Sequence, residues 1–276
     1  MIFLGVDAAW GDINETGVLA VDDRGLIVDA GWATGLSDTV AWVSDHAEAD
    51  TLVFVDAPLV VTNETGQRRC EKQVGQRYGR WKVSANSTNL KSPRLGGVAL
   101  RKALEAKGFR YDDGIDGPPQ SGRAISECYP YTAIVGYESF GYEERPQYKR
   151  APKGMGIAEF GPIRAQACDR LISRVATLSQ ADPPLDLRSH DVSRKLLDER
   201  SPIDSRAYKH REDLLDAAIC AWTAALWYQH GFEKCQVLGS DDPGILRPAA
   251  TIIAPARPSQ RAPATGRNPR NSVKGV

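Results

Sequence analysis

Ile2-Phe3-Leu4-Gly5-Val6-Asp7-Ala8-Ala9-Trp10 opens the chain with a short apolar run that ends in an acid. A run of this length and character reads as a buried strand over about residues 2–9, with Asp7 at its C-terminal edge. Working outward, residues 17–21 and 26–33 are two more apolar stretches. The Asp22-Asp23-Arg24-Gly25 turn between them makes a hairpin. Residues 36–47 set Val40, Trp42 and Val43 at helical spacing, with Ser37 or Asp38 available as a cap. Thr51-Leu52-Val53-Phe54-Val55-Asp56-Ala57-Pro58-Leu59 then repeats the opening pattern, and Pro58 stops the strand just after Asp56. Three meandering strands, a helix and a fourth strand parallel to the first predict a mixed α/β sheet.

Two more acidic features fall on this frame. Ala124-Ile125-Ser126-Glu127-Cys128-Tyr129-Pro130 puts Glu127 near the end of a further short strand, again closed by proline. Lys209-His210-Arg211-Glu212-Asp213-Leu214-Leu215-Asp216-Ala217-Ala218 opens an apolar helix expected to end at Gly231. Asp213 and Asp216 stand at i and i+3, so their carboxylates share a helical face. Residues 219–228 carry no charge, so this helix packs into the body of the protein. Acids early in a helix also serve as caps through the macrodipole. Buried carboxylates alongside strand-end acids point instead to a hard divalent cation.

The chain has 276 residues, enough for one sizeable core, with an ordinary hydrophobic share of 42%. No basic leader precedes the first strand, and no apolar stretch reaches the roughly 20 residues of a membrane span, so a soluble cytoplasmic protein is expected. Five scattered cysteines without a Cys-x-x-Cys pair fit free thiols in a reducing compartment and argue against a zinc site.

A formal net charge of zero conceals an uneven distribution. Between Gly66 and Arg110 twelve bases face only Glu71 and Glu105, and beyond residue 254 five bases face no acid. An acidic body with a basic insertion suits a polyanion-binding enzyme with an acidic metal centre. Residues 60–121, rich in Gly, Pro, Ser, Asn and bases, read as an insertion after the fourth strand with a helix at about 97–107. Further helices are expected at 159–180 and 191–199, and a terminal hairpin at 236–239 and 244–246. One domain thus covers 1–253, and 254–276 reads as a disordered basic tail.

Within the insertion, Arg68, Arg69, Lys72, Arg77, Arg80 and Lys82 surround Tyr78 and Trp81. Bases hold phosphates and aromatic faces stack bases, a mixture suited to single-stranded or distorted nucleic acid. The plainer alternative makes Trp81 a core residue and the bases solubilising. Glu71 reads as an ion-pair partner of Arg68.

Gly5-Val6-Asp7-Ala8, Val55-Asp56-Ala57-Pro58-Leu59, Arg69-Cys70-Glu71, Glu127-Cys128-Tyr129-Pro130 and Glu212-Asp213-Leu214-Leu215-Asp216-Ala217, in this order, resemble the ribonuclease H-like superfamily. More narrowly, they resemble the predicted nucleases of the family called domain of unknown function 429. The helical Asp-x-x-Asp is also similar to that of Holliday-junction resolvases of the same fold. The resemblance implies a ribonuclease H-like five-stranded mixed sheet flanked by helices, and cleavage of DNA or RNA phosphodiesters with two Mg²⁺ or Mn²⁺ ions. Two such ions lie about 3.5–4 Å apart. It makes Asp7 the bridging ligand and Asp56 and Asp216 further ligands, with Asp213 or Glu127 completing the catalytic set. His210 is then a possible proton shuttle, or else a plain surface histidine.

Two other classes stay open: a non-catalytic nucleic-acid-binding or scaffold protein on the same fold, and an ATP-dependent phosphotransferase. The second expects glycine-rich phosphate loops and a duplicated domain, and Gly96-Gly97 alone is too little. A junction-resolving activity would call for a homodimer.

Overall fold

The computed structural model describes residues 1–8, 14–152, 154–241 and 246–261. The opening run folds as expected into strand β1 (Ile2–Asp7), while Ala9 and Trp10 lie outside the described residues. β2 (Glu15–Asp22) and β3 (Ile27–Thr34) form the hairpin, and helix α1 (Gly35–Asp45) leads into β4 (Thr51–Val55). α1 begins after Thr34 with no side-chain cap, so neither Ser37 nor Asp38 caps it. β1 pairs antiparallel with β2 and parallel with β4, as the meander-then-crossover pattern requires.

The insertion is more ordered than its composition suggests. It holds α2 (Arg69–Tyr78), whose Cys70, Val74 and Tyr78 recur at helical spacing and are buried, and α3 (Gly96–Glu105). It also supplies β5 (Arg110–Tyr111), which runs parallel to β6 (Arg123–Glu127). The sheet therefore has six strands, in the order β3-β2-β1-β4-β6-β5, rather than the five expected. A two-residue strand is too short for any periodic signal, which is why the sequence hides it.

Alternation along the strands divides the core. Leu4, Val6, Val53, Val55 and Ile125 face α1 and α3, packing with Val40, Val43, Leu100 and Leu104. Phe3, Leu19, Leu52 and Phe54 face the other layer. That layer is built around α7 (Ser205–His230), after α4 (Pro130–Gly136), α5 (Ile157–Val175) and α6 (Asp191–Asp198). Trp222 and Trp227 of α7 are wholly buried. Burying one large apolar side chain contributes roughly 1.5–3 kcal/mol, so the charge-free half of α7 is a principal anchor of this layer.

The chain end departs from expectation. β7 (Cys235–Leu238) pairs antiparallel with β8 (Ile252–Pro255), while residues 244 and 245 of the expected second strand lie outside the described residues. Leu246 is 88% exposed, whereas Ile252, Ile253 and Ala254 are buried, so the usable apolar face lies further along. Order extends past residue 254: the buried Arg257 guanidinium donates to Tyr142 O at 2.7 Å and to Glu143 Oε1 at 3.0 Å. The rest of the expected tail, 262–276, lies outside the described residues. No helix among the described residues is long and apolar enough to cross a membrane, and all five cysteines are free and buried.

Candidate metal centre

α7 begins earlier than the sequence suggests. Asp204 is its N-cap, accepting from the Arg206 and Ala207 backbone N–H groups at 3.1 and 3.0 Å. Asp213 and Asp216 consequently lie in the helix interior, where they cannot cap it. The helix backbone rests directly on the sheet. A Cβ at Gly5 would come within 1.9 Å of Ala217 O, and one at Gly17 within 2.2 Å of Asp213 O. Two glycines in β1 and β2 thus let α7 approach closely enough to bring its acids to the ends of the strands.

Asp7 ends β1, and Asp56 follows β4 directly, its backbone N–H donating to Val6 O at 2.9 Å. Carboxylate oxygens of Asp7, Asp56 and Asp216 all lie within 4.8 Å of one another. Asp213 joins from one turn earlier on α7, close enough for the Asp7 carboxylate to act on it.

Glu127 does not reach this group. It is in register with Val55, one residue before Asp56, so it leaves the sheet on the opposite face. There Arg68 Nη1 and Nη2 donate to its two oxygens at 2.7 and 2.6 Å, and Leu59 N–H adds a bond of 3.0 Å. Arg68 Nε also donates to Glu71 Oε1 at 2.8 Å, the ion pair expected from the sequence. All three side chains are buried, which takes Arg68 out of the expected phosphate-binding set.

Tyr78 and Trp81 are likewise buried and offer no stacking surface. The Tyr78 hydroxyl donates to Pro255 O at 2.7 Å. Arg69 pairs with Asp241 at 2.6 Å and Lys82 with Glu144 at 2.7 Å. Lys72, Arg77 and Arg80 do not line the cleft around the aspartates.

That cleft has a volume of about 1200 Å³; Arg68, Glu71 and Glu127 also line it as a buried ion-paired group, and its other bases come from elsewhere: Arg145, Lys149 and Arg150 on the segment before α5, Arg164 on α5, and Arg206 and Lys209 on α7. Among the described residues no carboxylate pairs with Arg145, Arg150 or Arg206; Arg145 lies over the Tyr131 ring at 5.3 Å. His210 sits on the cleft wall, in contact with the Glu15 carboxylate and 5.3 Å from the Trp32 ring.

The residues sequence reasoning missed are Tyr148 and Lys149. Lys149 Nζ contacts Asp216 Oδ2 and lies 3.5 Å from Asp56 Oδ2, while the Tyr148 hydroxyl donates to Asp216 Oδ1 at 2.7 Å. Both sit in an irregular stretch, and only Arg145-Pro146-Gln147-Tyr148-Lys149-Arg150, a basic run beside an aromatic, could have marked it. On the far side, Lys209 ion-pairs with Asp213 and, at 3.3 Å, with Glu212.

Even with two lysines the acids remain crowded. Burial, opposed by Lys149 and reinforced by Asp7 and Asp216, pushes Asp56 up to about 8. Burial, against the pull of Lys149, raises Asp216 to about 6. Burial and the Asp7 charge, against Lys209, lift Asp213 to about 9. Asp7 Oδ2 is buried and has no hydrogen-bond partner among the described residues. An orphaned carboxylate oxygen beside two further carboxylates fits a hard divalent ion such as magnesium or manganese.

The family model for "Protein of unknown function (DUF429)" matches residues 5–242, and the chain belongs to that family. No curated protein matches the chain. Among solved structures, it is similar to a ROK family protein from Streptococcus pneumoniae TIGR4 in complex with sucrose. That match has 11% identity and a TM-score of 0.31, over 80% of this chain and 98% of the other.

Proposed function

We propose that this member of the DUF429 family is a metal-dependent nuclease on a ribonuclease H-like core, hydrolysing phosphodiester bonds of DNA or RNA. The observation that carries this reading is the convergence of Asp7, Asp56 and Asp216, from two neighbouring parallel strands and the helix across them, to within 4.8 Å. The order β3-β2-β1-β4-β6, with only β2 reversed, supports the fold assignment. Asp7, Asp56 and Asp216 would hold magnesium or manganese, which would supply an activated water and charge neutralisation at the leaving oxygen. The protein's own part is to aim oxygen donors from Asp7, Asp56 and Asp216 at one point. Arg145, Arg150 and Arg206 hold the phosphates of the strand. His210, oriented by Glu15, moves a proton at the leaving oxygen. The free thiols suit a reducing, cytoplasmic setting.

Asp7→Asn tests the assignment, because it removes a ligand charge at nearly constant volume. Wild type should bind Mn²⁺ by calorimetry and cleave at least one of a panel of single-stranded, duplex and branched DNA and RNA. The variant should keep its circular dichroism and lose both activities. Cleavage by Asp7→Asn at the wild-type rate overturns the reading. Binding of nucleic acid without cleavage by wild type would favour the non-catalytic alternative.

A further inference from the structure

Resting on the metal-centre reading above, we infer that Lys149 is a built-in organic cation that stands in for one of the two ions the family resemblance implies, so that the carboxylate cluster takes a single divalent ion.

Lys149 is placed, not merely near. Its ammonium contacts Asp216 Oδ2 and stands 3.5 Å from Asp56 Oδ2, against two of the three carboxylates that converge. Only 17% of its side chain is exposed, and Nζ lies 5.5 and 5.7 Å from the Tyr131 and Tyr148 ring centres. The backbone that carries it is pinned at both ends. Arg145 N–H donates to Trp81 O at 2.9 Å, and the Tyr208 hydroxyl of α7 donates to Tyr148 O at 2.5 Å. The Tyr148 hydroxyl donates to the other oxygen of Asp216, which fixes the orientation of that carboxylate.

The occupancy is lopsided. Asp7 Oδ2 and Asp216 Oδ2 both lack a hydrogen-bond partner among the described residues, but the ammonium is in ion-pair contact with Asp216 and near Asp56, whereas Asp7 forms no ion pair among the described residues. A second ion would need the space and the ligands that Lys149 holds. An ammonium is also a compact point charge able to face a phosphate oxygen, so the lysine substitutes for an ion electrostatically.

The test counts Mn²⁺ bound per chain, by calorimetry and by electron paramagnetic resonance of the free ion, in wild type, Lys149→Arg, Lys149→Met and Lys149→Ala. One ion is expected for wild type and for Lys149→Arg. Two ions, or one bound at least tenfold more tightly, are expected once the charge is removed. Thermal unfolding with and without Mn²⁺ guards against a misfolded variant: the neutral variants should be destabilised without metal and recover with it. Two ions on wild type, an unchanged count and affinity in both neutral variants, or no ion on any of the four overturns the inference. Ion counts are read whether or not nucleic acid is cut. A failed nuclease reading would therefore show as ion uptake without cleavage, and a failed role for Lys149 as an unchanged count.

Discussion

Glu127 and Asp56 end neighbouring parallel strands one register step apart, and their carboxylates therefore serve opposite faces of the sheet. Glu127 pairs in register with Val55, whose side chain belongs to the layer of α1 and α3; Asp56, the next residue, turns toward α7. That single step separates a carboxylate in the candidate metal centre from one committed to an ion-pair network with Arg68. Two acids that look equivalent in sequence have different chemistry because strand side chains alternate.

Glu127→Gln should accordingly act on stability and not on the ion. Removing one partner of a buried ion pair costs about 3–5 kcal/mol, and the low end is expected because Glu71 still faces Arg68. Urea unfolding measures the loss, and calorimetry should give Mn²⁺ affinity within about threefold of wild type. A tenfold drop in affinity with unchanged stability would return Glu127 to the ligand set.

Gly5→Ala tests how the centre is assembled. The added methyl meets the Ala217 carbonyl oxygen and the Ala221 nitrogen of α7, both backbone atoms that no rotamer change can move. Overpacking ordinarily costs about 1–3 kcal/mol, and this clash belongs at or above the upper end. Lifting α7 off β1 also carries Asp213 and Asp216 away from Asp7, so a stability loss with weaker Mn²⁺ binding is expected together. A variant as stable as wild type, with unaltered binding, would show that the close contact does not set the geometry.

The hairpin, the parallel crossover and the acids at Asp7, Asp56 and Asp216 were legible because each is a local pattern: an apolar run, a turn composition, a helical spacing. The parity that excludes Glu127 was also available, since it falls in step with Ile125 and not with Ala124, but its consequence needs the register against β4. Tyr148 and Lys149 were not legible, because a loop has no period and their position is set by contacts with residues 60 or more positions away. The basic run at 68–82 misled for a related reason. Arg68, Tyr78 and Trp81 have the types that bind nucleic acid, and the same types pair or pack when an amphipathic helix turns them inward.

The raised carboxyls give a definite pH dependence. Asp56, pushed up to about 8, and Asp216, raised to about 6, both start from an ordinary value of 3.8. Above that value the unfolded chain has released its protons while the folded protein still holds them, so stability is lost as pH rises through about 6 and about 8. The midpoint of thermal unfolding of metal-free protein should fall between pH 5 and pH 8.5, and the fall should be shallower in Asp56→Asn. Saturating Mn²⁺ should remove most of the difference, because the ion favours the deprotonated carboxylates. An equal or steeper fall in Asp56→Asn would mean that this carboxyl is not held protonated in the fold.

Arg145 and Arg150 carry the last prediction, on how a nucleic acid would be held. Both line the cleft beside the aspartates, without a carboxylate partner among the described residues, whereas Arg77, Arg80 and Lys82 lie outside it and Lys82 is already paired with Glu144. Each phosphate contact on a single strand contributes about 0.7 to the slope of log affinity against log salt, so losing two should reduce that slope by about 1.4. Fluorescence anisotropy with a labelled single strand, in the Asp7→Asn background to prevent cleavage, compares Arg145→Ala/Arg150→Ala with Arg77→Ala/Arg80→Ala/Lys82→Ala. The double variant should lose affinity and slope together, and the triple variant should change little. The reverse ranking would move the phosphate path out of the cleft and onto the α2 surface.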